Sequence, residues 1–249
     1  MNNSKIQNKY INIIKLVLSL FLFFFTTRFI FLIASLIIKG FNIDINDDNV
    51  YVVSYIIQFI GESILVLLLI LLYKKDFFED FKKFKKNFWE ISDKVISYWT
   101  IGLVVMAVSN ILIGILTPVK EAANEQGVQE IIKTVPVIAV FLTTFLAPFA
   151  EELTFRKAFK DVFKERILFI TISGVVFGAL HVVLTGSNDI YQYLYLIPYS
   201  ALGIAFAAIC YDTDNIWSSI FAHFLHNGIL TIISIVGSAV GMMIIWRQE

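Results

Sequence analysis

Apolar residues run along this chain in long blocks, not in the short alternations of a soluble fold. Seven blocks stand out, at roughly 10–38, 50–73, 95–117, 134–160, 166–184, 191–210 and 216–246. A helix crosses the hydrocarbon core of a bilayer with about 20 residues, and each block is near or beyond that length. The pattern predicts an all-α polytopic membrane protein of seven transmembrane helices, or eight if the last block breaks near Gly237, with Gly241 one turn beyond. The first block is too long for the apolar core of a cleaved signal peptide and is expected to be retained as a span. Composition agrees: 58% of the 249 residues are hydrophobic, 24 are Phe, and mean hydropathy is +0.77, well above soluble domains. Cys210 is the single cysteine, which excludes an internal disulfide.

Charge sharpens the picture. Twenty basic and twenty acidic residues cancel overall, but not along the chain. With the N-terminus on the cytoplasmic side, the inner segments hold fifteen Lys and Arg against three in the outer loops, the bias that sets topology. Residues 74–94, KKDFFEDFKKFKKNFWEISDK, repeat Phe77, Phe81, Phe84 and Phe88 at helical spacing among lysines. That pattern predicts a helix lying on the inner membrane surface. Arg28 and Glu62 fall in the first two spans, where they are expected to pair, to snorkel or to line a polar path.

The chemistry gathers in the last four blocks. The fourth runs apolar into two adjacent acids, Glu151 and Glu152, with Arg156 four residues on. A charge at mid-bilayer costs about 2.5–3.5 kcal/mol on insertion scales, and such residues usually face a protein interior or a wet cavity. The spacing of four favours a Glu152–Arg156 ion pair on one face. That leaves Glu151, about 100° around the helix, as the free carboxylate, suited to act as a general base. All three histidines, His181, His223 and His226, lie in apolar blocks. Glu151 and His181 sit about 20–25 Å on either side of the short turn near 164–166 at the helical rise, so an antiparallel pair brings them to similar depth. Gly174 and Gly178 share the face of His181 and let another helix approach closely. His223 and Asn227 are four apart on one face, with Ser219 a turn earlier, while His226 is turned away by about 100°.

These residues resemble a known family. EELTFR (Glu151 to Arg156), FGALH (Phe177 to His181) and HFLHN (His223 to Asn227) are similar, in order and spacing, to the EExxxR, FxxxH and HxxxN/D motifs of CPBP-type intramembrane glutamic endopeptidases. That family includes the type II CAAX prenyl proteases and the Abi bacteriocin-processing and self-immunity proteins. The resemblance covers residues 134 to about 235 and divides the chain into N-terminal helices with the amphipathic segment, 1–133, and a catalytic helical core, 134–249. It implies hydrolysis by water, with no covalent intermediate, at a buried polar site between the fourth, fifth and seventh spans. Glu151 would activate the water, His181 would hold it, and His223 and Asn227 would donate hydrogen bonds to the oxyanion. Glu152 and Arg156 would be supporting residues. No cofactor is implied; zinc is the alternative, although the HExxH pattern is absent and Asn is a poor zinc ligand. The expected partners are a hydrophobic or lipid-anchored peptide substrate and membrane lipids, with no nucleic acid. Abundant Lys, Asn, Ile and Phe suggest an AT-rich bacterial genome, hence a bacterial cell membrane and a bacteriocin or signalling-peptide precursor; a CAAX-like tail would suit a eukaryotic setting. Two other classes fit the same residues: a non-catalytic immunity protein that binds a peptide, and an ion-coupled transporter using the buried acids as a relay. The latter often carries internal repeats, and none is visible in the sequence.

Overall fold

The computed structural model describes residues 3–246, with side chains from Gln7 to Ser238. The described residues form helices α1 (Asn3–Gly40), α2 (Val50–Leu72), α3 (Lys74–Lys86), α4 (Phe88–Leu116) and α5 (Ala123–Thr134), then α6 (Pro136–Val162), α7 (Arg166–Val183), α8 (Ile190–Asp212) and α9 (Ile216–Trp246). Seven of them, all but α3 and α5, are long and apolar enough to span a bilayer. The chain is an integral membrane protein. α9 runs through Gly237 without a break, so the described residues hold seven candidate spans, not eight. The small-residue run 237–241, a candidate dimer seam, extends past the described side chains.

Two short helices lie between the spans, and the first differs from the sequence expectation. The 74–94 stretch is not one surface helix: α3 ends at Lys86, and Phe88 already opens the third span. Its apolar face meets protein. Phe77 and Phe84 are buried, and the rings of Phe77 and Phe81 lie 4.7 and 4.6 Å from that of Trp217. α3 also holds the start of α9. Asp80 Oδ2 accepts the Ile216 N–H at 3.2 Å, and the Asp80 carbonyl accepts Asn215 Nδ2 at 2.9 Å. These contacts satisfy polar groups left over where a helix begins. The second is α5, a helix that lies between the third and fourth apolar blocks. Its first residue is pinned to the start of α8: Gln192 Oε1 accepts the Ala123 N–H at 2.9 Å, and Gln192 Nε2 donates to the Glu121 carbonyl at 3.1 Å. α3 and α5 lie at opposite ends of the bundle.

The tightest crossing is that of α7 with α8. A Cβ on Gly178 would sit 2.6 Å from the Ser200 nitrogen, and one on Gly203 would sit 2.5 Å from the Gly174 carbonyl. The glycines of α7 therefore seat α8, and this contact holds His181 at a set depth and rotation. At the α3 end, Arg166–Asp212 and Lys160–Asp214, each 2.6 Å apart, tie α6, α7 and the α8–α9 turn together.

Candidate active site

α6 carries the carboxylate pair, and it is not a regular helix. It widens to π geometry at Phe141–Leu146 and again at Glu152–Lys157. Such widened turns are rare and often mark functional sites. The first has a cause in the sequence. The Ala147 N–H reaches back five residues to the Leu142 carbonyl. The next residue, Pro148, has no N–H to offer the Thr143 carbonyl. That carbonyl accepts instead from Asn227 Nδ2 on α9, at 2.8 Å. In the second widened turn, the Phe155 carbonyl accepts from Ser173 Oγ of α7 at 2.7 Å. Each irregular turn thus offers a carbonyl that accepts a side-chain hydrogen bond from a neighbouring span.

Glu152 and Arg156 form the expected pair, 3.3 Å apart and both 0% exposed. The guanidinium lies over the Phe177 ring, 4.4 Å from its centre, and Nη2 donates to the Gly203 carbonyl at 3.3 Å. The tight α7–α8 crossing brings that carbonyl into reach. Glu152 also accepts from His223 Nδ1 at 3.0 Å. A fully buried acid is thus matched by a cation on its own helix and an imidazole on another. Partners of this kind are what a buried charge needs.

Glu151 is placed differently. Its Oε2 is buried yet has no hydrogen-bond partner. It lies 3.9 Å from His181 Nε2 and 4.0 Å from His223 Nε2. The bond from His223 Nδ1 to Glu152 turns Nε2 towards Glu151. His181 Nδ1 lies 2.9 Å from the Phe177 carbonyl. A carbonyl only accepts, so Nδ1 carries the hydrogen, and Nε2 of the neutral ring is an acceptor. Tyr199 of α8 stacks on the His181 ring at 4.9 Å, and its hydroxyl accepts from Asn124 Nδ2 of α5 at 3.4 Å. His226 turns to α4, where Trp99 Nε1 donates to its Nδ1 at 3.4 Å. Asn227 has one amide hydrogen committed to Thr143.

Glu151, His181 and His223 meet at the wall of a cavity of about 820 Å³. Asn227 lines it as well, while Glu152 and Arg156 stand behind the wall. The cavity is wider than a site between three spans. Glu62 of α2, Met106 and Asn110 of α4, Asn124 and Glu125 of α5, and Tyr199 of α8 also face it. Arg28 and Glu62 make no ion pair: Arg28 lies over the Phe25 ring at 6.0 Å, and Glu62 accepts from Gln58 Nε2 at 2.8 Å. Sequence reasoning missed Thr143 and Tyr199. Pro148, a helix-interior proline among candidate residues, was the available signal for Thr143; nothing in the sequence marks Tyr199. Among the described residues, no three His, Cys, Asp or Glu side chains are grouped as a metal site.

Comparison with known proteins finds likenesses in this part of the chain. Residues 133–229 match the model described as "Type II CAAX prenyl endopeptidase Rce1-like". The match runs from α6 into the first half of α9 and includes every helix that carries one of the three motifs. The "Putative membrane peptidase YdiL" of Bacillus subtilis is 30% identical over 119 residues, 47% of this chain and 45% of that protein. An uncharacterized protein of Mycoplasma capricolum is 30% identical over 171 residues, 63% of this chain and 48% of that protein. The chain thus spans slightly less than half the length of these relatives. No solved structure matches.

Proposed function

We propose that this protein is an intramembrane endopeptidase in which Glu151 activates a water molecule to hydrolyse a peptide bond. The observation that carries the reading is the unpartnered Oε2 of Glu151, some 4 Å from ring nitrogens on two other spans, beside a large cavity. Polar atoms this far apart are often bridged by water. A water between them would give one hydrogen to Glu151 and the other to His181 Nε2, leaving a lone pair for the substrate carbonyl. Glu151 takes the proton as the water adds to that carbonyl and later returns it to the leaving amine. His223 supports the oxyanion through Nε2–H in its protonated form, with Glu152, paired to Arg156, as the counter-ion beside it. Asn227 adds its uncommitted amide hydrogen. Removing one such donor costs about 3–4 kcal/mol in barrier height where it has been measured. None of these steps calls on a metal or cofactor.

The substrate would be a hydrophobic or lipid-anchored peptide, reached through the membrane lipids around the bundle. A bacteriocin or signalling-peptide precursor suits the proposed bacterial cell membrane, and a CAAX-like tail suits the family description. The N-terminus is assigned to the cytoplasm on the lysine bias, which puts α3 inside and α5 outside. The test compares peptides from membranes and medium of cells carrying wild-type or Glu151→Gln protein, by mass spectrometry. A fragment present only with the wild type supports the reading. Equal fragment sets in both, with equal amounts of protein in the membrane, would leave a peptide-binding immunity role in its place.

A further inference from the structure

α2 lies outside the Rce1-like match, yet it supplies one wall of the cavity. Tyr55, Gln58 and Glu62 recur at three and four residues along it and all line that wall. The face about 100° round from Glu62 is occupied: a Cβ on Gly61 would sit 3.0 Å from Thr27 Cα of α1, so that face seats α1. Glu62, one residue on, is turned to the cavity. α2 also packs directly on the turn of α6 that carries Glu151. Gln58 Nε2 donates to Glu62 Oε1, which orients the carboxylate. Among the described residues, Glu62 has no ion pair.

The rest of the cavity carries the same sign. Glu121, Glu125 and Glu130 line it at the α5 end, Glu62 and Glu151 deeper in, and none is paired with a Lys or Arg among the described residues. The cavity's basic lining residue is Lys120, whose ammonium is bound to the Gly114 and Thr117 carbonyls. Clefts lined by one sign of charge, with low-dielectric walls, concentrate the opposite charge. The cavity also ends at a buried carboxylate oxygen, Glu151 Oε2, that has no partner.

We infer that Glu62 is a specificity-determining residue that receives a cationic group, a Lys or Arg side chain or a free α-amine, from the part of the peptide next to the scissile bond. This rests on the protease reading and narrows its substrate class. Because α2 lies against the Glu151 turn, the cation falls close to the cut. The carboxylates near α5 lead such a substrate inward without fixing its register.

The experiment uses the full chain in liposomes and a defined mixture of synthetic peptides, each made free and N-palmitoylated. Mass spectrometry reads every cleavage site. Wild-type protein is expected to cut preferentially beside Lys or Arg. Glu62→Gln should lower the ratio of cationic-site to neutral-site cleavage about tenfold, a modest value for loss of one partner of a desolvated charge pair. Glu62→Lys should move the preference towards Asp and Glu. The ratio is measured within one preparation, so partial misfolding lowers both numbers and leaves it intact. Cleavage that depends on Glu151 but shows no cationic preference, or a preference that survives Glu62→Gln, overturns the inference and leaves the protease reading standing. Absence of any Glu151-dependent cleavage overturns both.

Discussion

His223 Nδ1 and Glu152 Oε1 are 3.0 Å apart, so the second acid of the pair belongs as much to the last span as to its own helix. Arg156 holds its other side. The two glutamates are neighbours in sequence and differ in surroundings: Glu152 is held between a guanidinium and an imidazole, while Glu151 faces a cavity with Oε2 free of any hydrogen bond.

Removing Glu152 should therefore damage the fold before the chemistry. Glu152→Ala leaves Arg156 buried without its counter-ion, a loss of about 3–5 kcal/mol. The expected result is a large drop in thermal stability in detergent. Glu151→Gln should keep the wild-type melting temperature, because no described hydrogen bond depends on Oε2.

On activity the order reverses. Glu151→Gln should lower peptide cleavage by about 10²–10⁴, the usual contribution of a general base. His181→Ala should fall in the same range, since it removes the acceptor that orients the water. Cleavage in excess chelator should equal cleavage without it. A loss in chelator, restored by zinc, would replace the water-activating carboxylate with metal chemistry.

Pro148→Ala offers a way to disturb Asn227 without touching it. The new backbone N–H competes with Asn227 for the Thr143 carbonyl. The expected effect is a several-fold loss of kcat with little change in KM, and a partial loss of stability no larger than that of an ordinary hydrogen bond, about 1 kcal/mol. An unchanged kcat would mean that the hydrogen bond to Thr143 is structural only.

The α7–α8 crossing has no room for a side chain. Gly178→Ala and Gly203→Ala should each cost about 1–3 kcal/mol, as overpacking does, and should lower activity by displacing His181 or the carbonyl that meets Arg156. Gly127→Ala, with open space around it, is the matched control and should be neutral. Differential scanning fluorimetry reads all three.

The tether of α3 should loosen in acid. Burial pushes the Asp76 carboxyl up, but the Lys157 ammonium, 2.7 Å away, outweighs it and holds Asp76 below the ordinary value of about 3.9. A depressed carboxylate stabilises above its unfolded pKa, and the contribution is lost as pH falls through the folded value. Hydrogen-exchange protection of α3, corrected for intrinsic rates, should be flat from pH 7 to pH 5 and fall below pH 4. Asp76→Asn should remove that acid-dependent step.

Block length and apolar content alone determined that this is a helical membrane protein of seven or eight spans, because a bilayer admits few other solutions for such runs, and the unbroken course of α9 decided between the two counts. Residue type and spacing singled out Glu151, His181, His223 and Asn227, since polar groups in apolar helices are costly enough to need a reason. Tertiary structure decided the rest. A helical pattern does not show which neighbour a face will meet, so it could not reveal that Glu152 takes His223, that Tyr199 backs His181, that α5 folds beside the site, or that Glu62 joins its wall. Nor could the aromatic stripe of α3 announce that it docks on Trp217 instead of lipid, because apolar protein and acyl chains ask for the same side chains. The π turns lie between the two: Pro148 is written in the chain, but only the position of α9 determined where the freed carbonyl would find its partner.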